Sequence, residues 1–281
     1  MQHELGDGRT QARITAGNQI KSSAVDQPNP NVKPRLIALA SGKGGVGKTW
    51  LSLTLAQALS RRRRVLVFDA DFGLANADIQ LGHLPGVDLG TTIRDGANLR
   101  DSIITVEQGG FDLIAGHSGS GALAGISTVT MAKLLNNLAS VTEGYDVVLF
   151  DLGTGIEAAT RQVAAHADTV VLVSTEDPAS LTDAYAVLKL LKRDRTDLGL
   201  AVDARIVVNQ ARSEAAGKRA HAALARAARG FLRIDPPLLG IIGRDERVAE
   251  AIRGQRLLLS QFPQSPAAGS VMAIARRLMT R

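Results

Sequence analysis

The chain has 281 residues, of which 45% are hydrophobic, 21% charged and 3% aromatic, so it can bury one large core built from Ala, Val, Leu and Ile rather than from rings. It contains no cysteine, which excludes disulfides, thiolate metal sites and cysteine-held iron–sulfur clusters. The net charge of +6 is unevenly placed: Arg212 to Arg281 holds 13 Lys and Arg against 5 Asp and Glu, and the rest of the chain is slightly acidic. That basic quarter is either a solvated arginine-rich surface or a face for anionic lipid, DNA or an acidic partner.

Residues 1–33 lack hydrophobic periodicity and close on Pro28, Pro30 and Pro34, which predicts a flexible N-terminal tail before a single domain over 34–281. The start MQHELGDGRT has neither a basic opening nor an apolar stretch, so no secretory leader is expected. No apolar run approaches the roughly 18 residues of a membrane span.

From there, strand-like and helix-like runs alternate. The first strand, Leu36–Ala40, leads into Gly42-Lys43-Gly44-Gly45-Val46-Gly47-Lys48-Thr49, which fits the phosphate-binding pattern G-x-x-x-x-G-K-[ST]. A helix is predicted over Thr49–Ser60, giving the strand–loop–helix context that the pattern requires. Glycines let the backbone turn tightly and aim N–H groups at phosphate oxygens. The helix start adds unpaired N–H groups and a positive dipole end. Lys48 would bridge the β- and γ-phosphates, and the Thr49 hydroxyl would ligate Mg2+. An ordinary loop of this kind needs no lysine at its second position; Lys43 there would neutralise further γ-phosphate charge. Arg61 to Arg64 suit a helix C-terminus.

The second strand, Val65–Asp69, ends in DADFGLAN, Asp69 to Asn76. Asp69 and Asp71 beside a triphosphate would hold hydrated Mg2+ or position the attacking water. A strand at Phe111–Ala115 and a helix at Thr130–Thr142 precede the strand Asp146–Asp151, which is closed by DLGTG. An apolar strand ending in Asp151 is Walker B-like, and Gly153 and Gly155 give the following loop freedom to move with the γ-phosphate. A helix at Glu157–Ala167, a strand at Thr169–Ser174 and a helix at Ser180–Lys192 follow. The strand Arg205–Asn209 ends on Asn209, whose amide can pair with an adenine edge. A helix at Glu214–Arg229, a strand at Leu238–Ile242 and a helix at Arg247–Gly254 complete the alternation. The last stretch, 270–281, reads as an amphipathic helix with Val271, Ile274, Ala275 and Leu278 on one face, packed on the domain in preference to lying on a membrane. The alternation predicts an α/β fold, doubly wound around a mostly parallel sheet, with ligands bound beyond the strand ends.

The loop KGGVGKT resembles the deviant Walker A motif of the MinD/ParA ATPases, and the resemblance covers residues 35 to about 280. It implies ATP and Mg2+ as ligands, a cytoplasmic ATP hydrolase, and an ATP-dependent homodimer in which Lys43 reaches the partner's nucleotide. It assigns Asp69, Asp71 and Asn76 to switch I, with Asp71 orienting the attacking water. Asp69 and Asp151 then support the metal through water. DLGTGI is similar to the DTGAGI type of switch II, and Asn209 reads the base, favouring ATP over GTP. Within the family, TEDPASLTDAYAVLK (175–189), NADIQLG (76–82) and GFLRIDPPLLGIIGRDERVAEAIRGQ (230–255) are most similar to the flagellar-number regulators FlhG and FleN. That implies a role in flagellar number or placement, with the flagellar GTPase FlhF, basal-body or regulatory proteins as partners and contact with the inner face of the cell membrane. Here Asp26-Gln27 runs into Pro28-Asn29-Pro30, a departure from the DQAxxLR helix with which such proteins activate that GTPase. The alternative reading is a ParA-like partition ATPase that binds non-specific DNA through its basic quarter.

Overall fold

The computed structural model describes residues 33–71, 76–82, 98–116, 134–135, 137–138, 141–155 and 157–280. The predicted tail lies outside the described residues except for Lys33, and the Thr130–Thr142 helix falls largely outside them. Eight strands form one sheet: β1 Arg35–Ser41, β2 Val65–Ala70, β3 Ile103–Val106, β4 Phe111–Ile114, β5 Val147–Thr154, β6 Thr169–Ser174, β7 Ala204–Ala211 and β8 Leu238–Gly243. Their spatial order is β3-β4-β2-β5-β1-β6-β7-β8. Every neighbouring pair is parallel except β3 with β4. The inner strands read as unbroken apolar runs because both faces of a parallel sheet are covered.

The helices are α1 Lys48–Leu59, α2 Ala77–Leu81, α3 Ala158–His166, α4 Pro178–Asp197, α5 Glu214–Ala227, α6 Glu246–Arg253, α7 Leu258–Gln261 and α8 Pro266–Met279. One core layer joins α1 and α8 to the sheet through Leu51, Leu55, Val271, Ile274 and Leu278. The opposite layer joins α3, α4 and α5 through Val163, Leu188 and Leu224. Because β5 lies between β1 and β2, the ends of three strands converge. Asp69 stands in register with Asp151, and Asp151 with Leu39, two residues before the end of β1. The order of strands in space, not in sequence, therefore gathers the predicted acidic residues at the glycine loop.

All seven predicted strands are present. The eighth, β3, escaped prediction: it has four residues, keeps one residue fully buried, and is held as an edge by the Glu107–Gly110 turn and by Thr105 donating to Asp112 at 2.8 Å. Helix α4 begins earlier and ends later than predicted, because Asp177 caps it by accepting from the Ala179 N–H and Pro178 fills its first turn. Helix α8 starts four residues before the expected 270. Ser265 caps it by accepting from the Ala268 N–H, and Pro266 opens the helix instead of preceding it. Its apolar face lies against α1 and β8, as the packed reading expected, and Arg35 donates to the Leu278 carbonyl at 2.7 Å. No described helix is long and apolar enough to cross a membrane.

Helix α8 can approach β8 because Gly240 lacks a side chain: a Cβ there would stand 2.4 Å from the Ile274 side chain. Gly240→Ala should therefore destabilise the fold by about 1–3 kcal/mol in urea unfolding. In an Ile274→Ala background the same change should cost much less, and equal costs in both backgrounds would refute the contact.

Candidate functional site

The glycine loop links β1 to α1 and is folded as its sequence predicts. Gly47 precedes the helix with φ 86°, a left-handed conformation, and a Cβ there would stand 2.5 Å from Asn209 Nδ2. Only glycine meets both demands. Around the loop opens a cleft of about 880 Å³. The loop lines it together with Asp71, Asn76, Gln80, Asn209, Gln210, Arg244 and Ile252.

Lys48 is 5% exposed and donates to Asp151 Oδ1 at 2.7 Å. Ser52, one turn further along α1, donates to the same oxygen at 2.9 Å. The other oxygen, Oδ2, is buried and has no hydrogen-bond partner. A carboxylate with one oxygen unclaimed, held against the loop by Lys48, suits a hydrated Mg2+, an ion that takes one or two protein oxygens and completes its shell with water and phosphate.

Asp69 is buried, and its carboxylate accepts the backbone N–H groups of Asp71 at 3.1 Å, Asn76 at 3.2 Å and Ala77 at 3.1 Å. Burial first, and the Asp151 carboxylate second, push its pKa up to about 7, against the pull of those N–H groups and of Lys48. Asp69 thus fastens the start of α2 to the end of β2. Asp71 lines the cleft and lies close enough to Gly153 that a Cβ there would be 3.2 Å from its Oδ1. Asn76 lines the cleft at the N-cap position of α2. Gly155 has φ 96°, and its N–H donates to the Ser41 carbonyl at 3.2 Å, which ties the end of β5 to the start of the loop.

Lys43 also lines the cleft but has a different partner from Lys48. Its ammonium donates to Asp177 Oδ2 at 2.7 Å, with 43% of the side chain exposed. The hydrogen bond and the charge of Asp177 raise the Lys43 pKa, and the same bond lowers that of Asp177. Asn209 is buried and donates its amide to the Val46 carbonyl at 2.7 Å, while Gln210, at φ 55°, donates to the Gly45 carbonyl at 3.0 Å. The end of β7 therefore braces the loop, a contact that the sequence did not reveal.

Sequence reasoning also missed Ser52, Asp177, Gln210, Arg244 and Trp50. Asp-Pro before a helical run is a visible capping signal for Asp177. Nothing in the sequence paired it with Lys43. Trp50 follows the loop directly, is 5% exposed, and packs at the cleft wall near Gln80 and Ile252 with its indole N–H buried and unpartnered.

Residues 37–121 match the model of the CobQ/CobB/MinD/ParA nucleotide binding domain. The chain is similar to the antiactivator FleN of Pseudomonas aeruginosa, 35% identical over 87% of this chain and 86% of that protein. It is also similar to the flagellum site-determining protein YlxH of Helicobacter pylori, 30% identical over 88% and 82% of the two chains. Among solved structures, the cell division ATPase MinD of Pyrococcus furiosus superposes with a TM-score of 0.73 at 25% identity, covering 88% of this chain and 98% of that one. MinD of Pyrococcus horikoshii, complexed with Mg-ADP, gives 0.72 at 25% identity over 88% and 97%.

The buried Lys48–Asp151 contact has a measurable signature. Lys48→Met should destabilise the nucleotide-free protein by about 3–5 kcal/mol in urea unfolding, because it strands the Asp151 carboxylate. Lys48→Met with Asp151→Leu should recover most of that loss. A double variant as unstable as the sum of the single ones would show that the pair is not coupled.

Proposed function

The chain belongs to the MinD/ParA family and is an ATP hydrolase that binds ATP with Mg2+, and on that premise we propose a switch that dimerises around two ATP molecules and sets the number or placement of flagella. The observation that carries the dimer is the position of Lys43. It belongs to the phosphate loop, yet its ammonium points to Asp177 at the rim and not to the Lys48–Asp151 pair. A lysine so placed is available to a phosphate that arrives from outside its own cleft, as an arginine finger is.

In this reading residues 34–281 form one ATPase domain. The Gly42–Thr49 backbone and Lys48 hold the β- and γ-phosphates. Lys48 would exchange the Asp151 carboxylate for phosphate oxygens of bound ATP, and the Thr49 hydroxyl would ligate the metal. Asp151 and Asp69 support its water shell. Asp71 orients the attacking water, while Asn76 in switch I and Gly153 and Gly155 in switch II follow the γ-phosphate. Asn209 gives its donor to the loop and keeps its carbonyl oxygen for the adenine amino group.

The flagellar role draws its support from the likeness to the flagellum site-determining protein YlxH and to the antiactivator FleN. It places the protein in the cytoplasm, with flagellar regulatory or basal-body proteins and the flagellar GTPase as partners. Peripheral membrane contact through α8 would require its buried face to leave the sheet. A partition-like reading rests on a different observation: Arg219, Arg226, Arg229 and Arg233 are exposed along α5 and the turn after it.

Lys43→Ala should abolish ATP-dependent dimerisation in light scattering and lower ATP turnover while leaving ATP binding intact. Asp177→Asn keeps the helix cap, frees Lys43 and should raise the dimer fraction at limiting ATP. Wild-type dimerisation by the Lys43→Ala protein would sink the trans lysine. Deleting the gene should change the number of flagella per cell seen by electron microscopy. Unchanged flagella, together with salt-sensitive binding of the ATP-loaded protein to random duplex DNA, would move the assignment to partition.

A further inference from the structure

The sheet ends on β8, whose outer side meets no strand among the described residues. This edge is not level with the surface. Helix α5 rises on one face of the sheet and α8 on the other, leaving a groove of about 780 Å³ along Leu238 to Gly243. Its floor is apolar. Ile241 leans toward α5, where a Cβ on Gly217 would stand 2.7 Å from it, and Gly240 sits beneath Ile274 of α8. Its rim is cationic: Arg212, Lys218, Arg244 and Arg277 line it with Glu214, Arg212 being paired with Glu176 and Lys218 with Glu214.

Two of these cations hold their place with little cost to exposure. Lys218 pairs with Glu214 at 2.7 Å while 63% exposed, and Arg277 donates to the Leu239 carbonyl at 3.0 Å. That carbonyl belongs to the irregular stretch of β8, where the register with β7 shifts between Ile206 and Val207. Arg277 thus covers a main-chain acceptor on an edge strand, and an incoming strand would compete for that acceptor.

An edge strand recruits an extended peptide by main-chain hydrogen bonds, and alternate side chains of the peptide then read the flanking pockets. A wall made of a strand selects an extended segment over a helix. A rim of four cations selects acidic side chains and repels a second copy of the same edge. We propose that the β8 edge is a docking site for an extended segment of a partner protein that carries apolar and acidic residues on both of its faces. Its apolar side chains cover the half-buried Leu238 and Ile241 on the α5 side and Ala273 on the α8 side, and its carboxylates meet Lys218 on the α5 side and Arg277 on the α8 side. Gly243 and Arg244 line both this groove and the ATP cleft. Docking and nucleotide binding therefore share a wall, and each biases the other by linkage.

The test uses the full chain and a displayed library of random 12-residue peptides. Selected peptides should be enriched in both apolar and acidic residues, with acids at positions of both parities. They should slow amide hydrogen exchange over 238–243 and bind at least tenfold more weakly to the Lys218→Glu and Arg277→Glu proteins. Neither residue lines the ATP cleft, so ATP binding checks that each variant is folded; Lys218→Glu, on an exposed helix face, carries the test if Arg277→Glu does not fold. Peptides without acidic bias, equal affinity for Lys218→Glu, or unchanged exchange over β8 would overturn the proposal. So would an empty selection, and so would a change of oligomeric mass in Lys218→Glu that shows the edge to be an interface between copies.

Discussion

The chemistry of the cleft depends on one buried contact, the 2.7 Å pairing of the Lys48 ammonium with the Asp151 carboxylate. Both groups are withdrawn from water, so each is tolerable only while the other is near. The pairing exists because β5 lies between β1 and β2, which sets the loop after β1 against the end of β5. Ser52 joins it from the next turn of α1, so the first turns of the helix are fixed to the central strand.

A second layer of contacts holds the loop from behind. Asn209 and Gln210 at the end of β7 each donate to a loop carbonyl, and Gly155 reaches back to Ser41. These bonds connect strands that are far apart in sequence. The loop is thereby shaped before a ligand arrives, which lowers the entropy lost on binding. The same bonds link the region expected to respond to the γ-phosphate with the region expected to meet the base.

The sequence displayed the central strands, the loop and the two acidic strand ends, because apolar runs, glycine spacing and strand-terminal aspartates are local patterns. It displayed the packing of α8 for the same reason, through the spacing of Val271, Ile274 and Leu278. It did not display Asp177 as the partner of Lys43, nor Asn209 as a brace, since those contacts join residues 134 and 163 positions apart. Strand β3 was hidden by its brevity and its edge position. The basic surplus of the C-terminal quarter was legible as a count. Its division into an exposed helix face and a groove rim depended on how α5 and α8 flank β8.

Trp50 gives the molecule a property that its chemistry does not require. It is the sole tryptophan of the chain and stands one residue beyond Thr49, with its ring packed at the wall between the loop helix, α2 and α6. Its indole N–H is shielded from water and unpartnered. Emission from such a ring responds to any new dipole or solvent molecule within contact distance. The protein therefore carries an intrinsic optical probe at the mouth of its own nucleotide cleft, and loop rearrangements can be followed in time with no label attached.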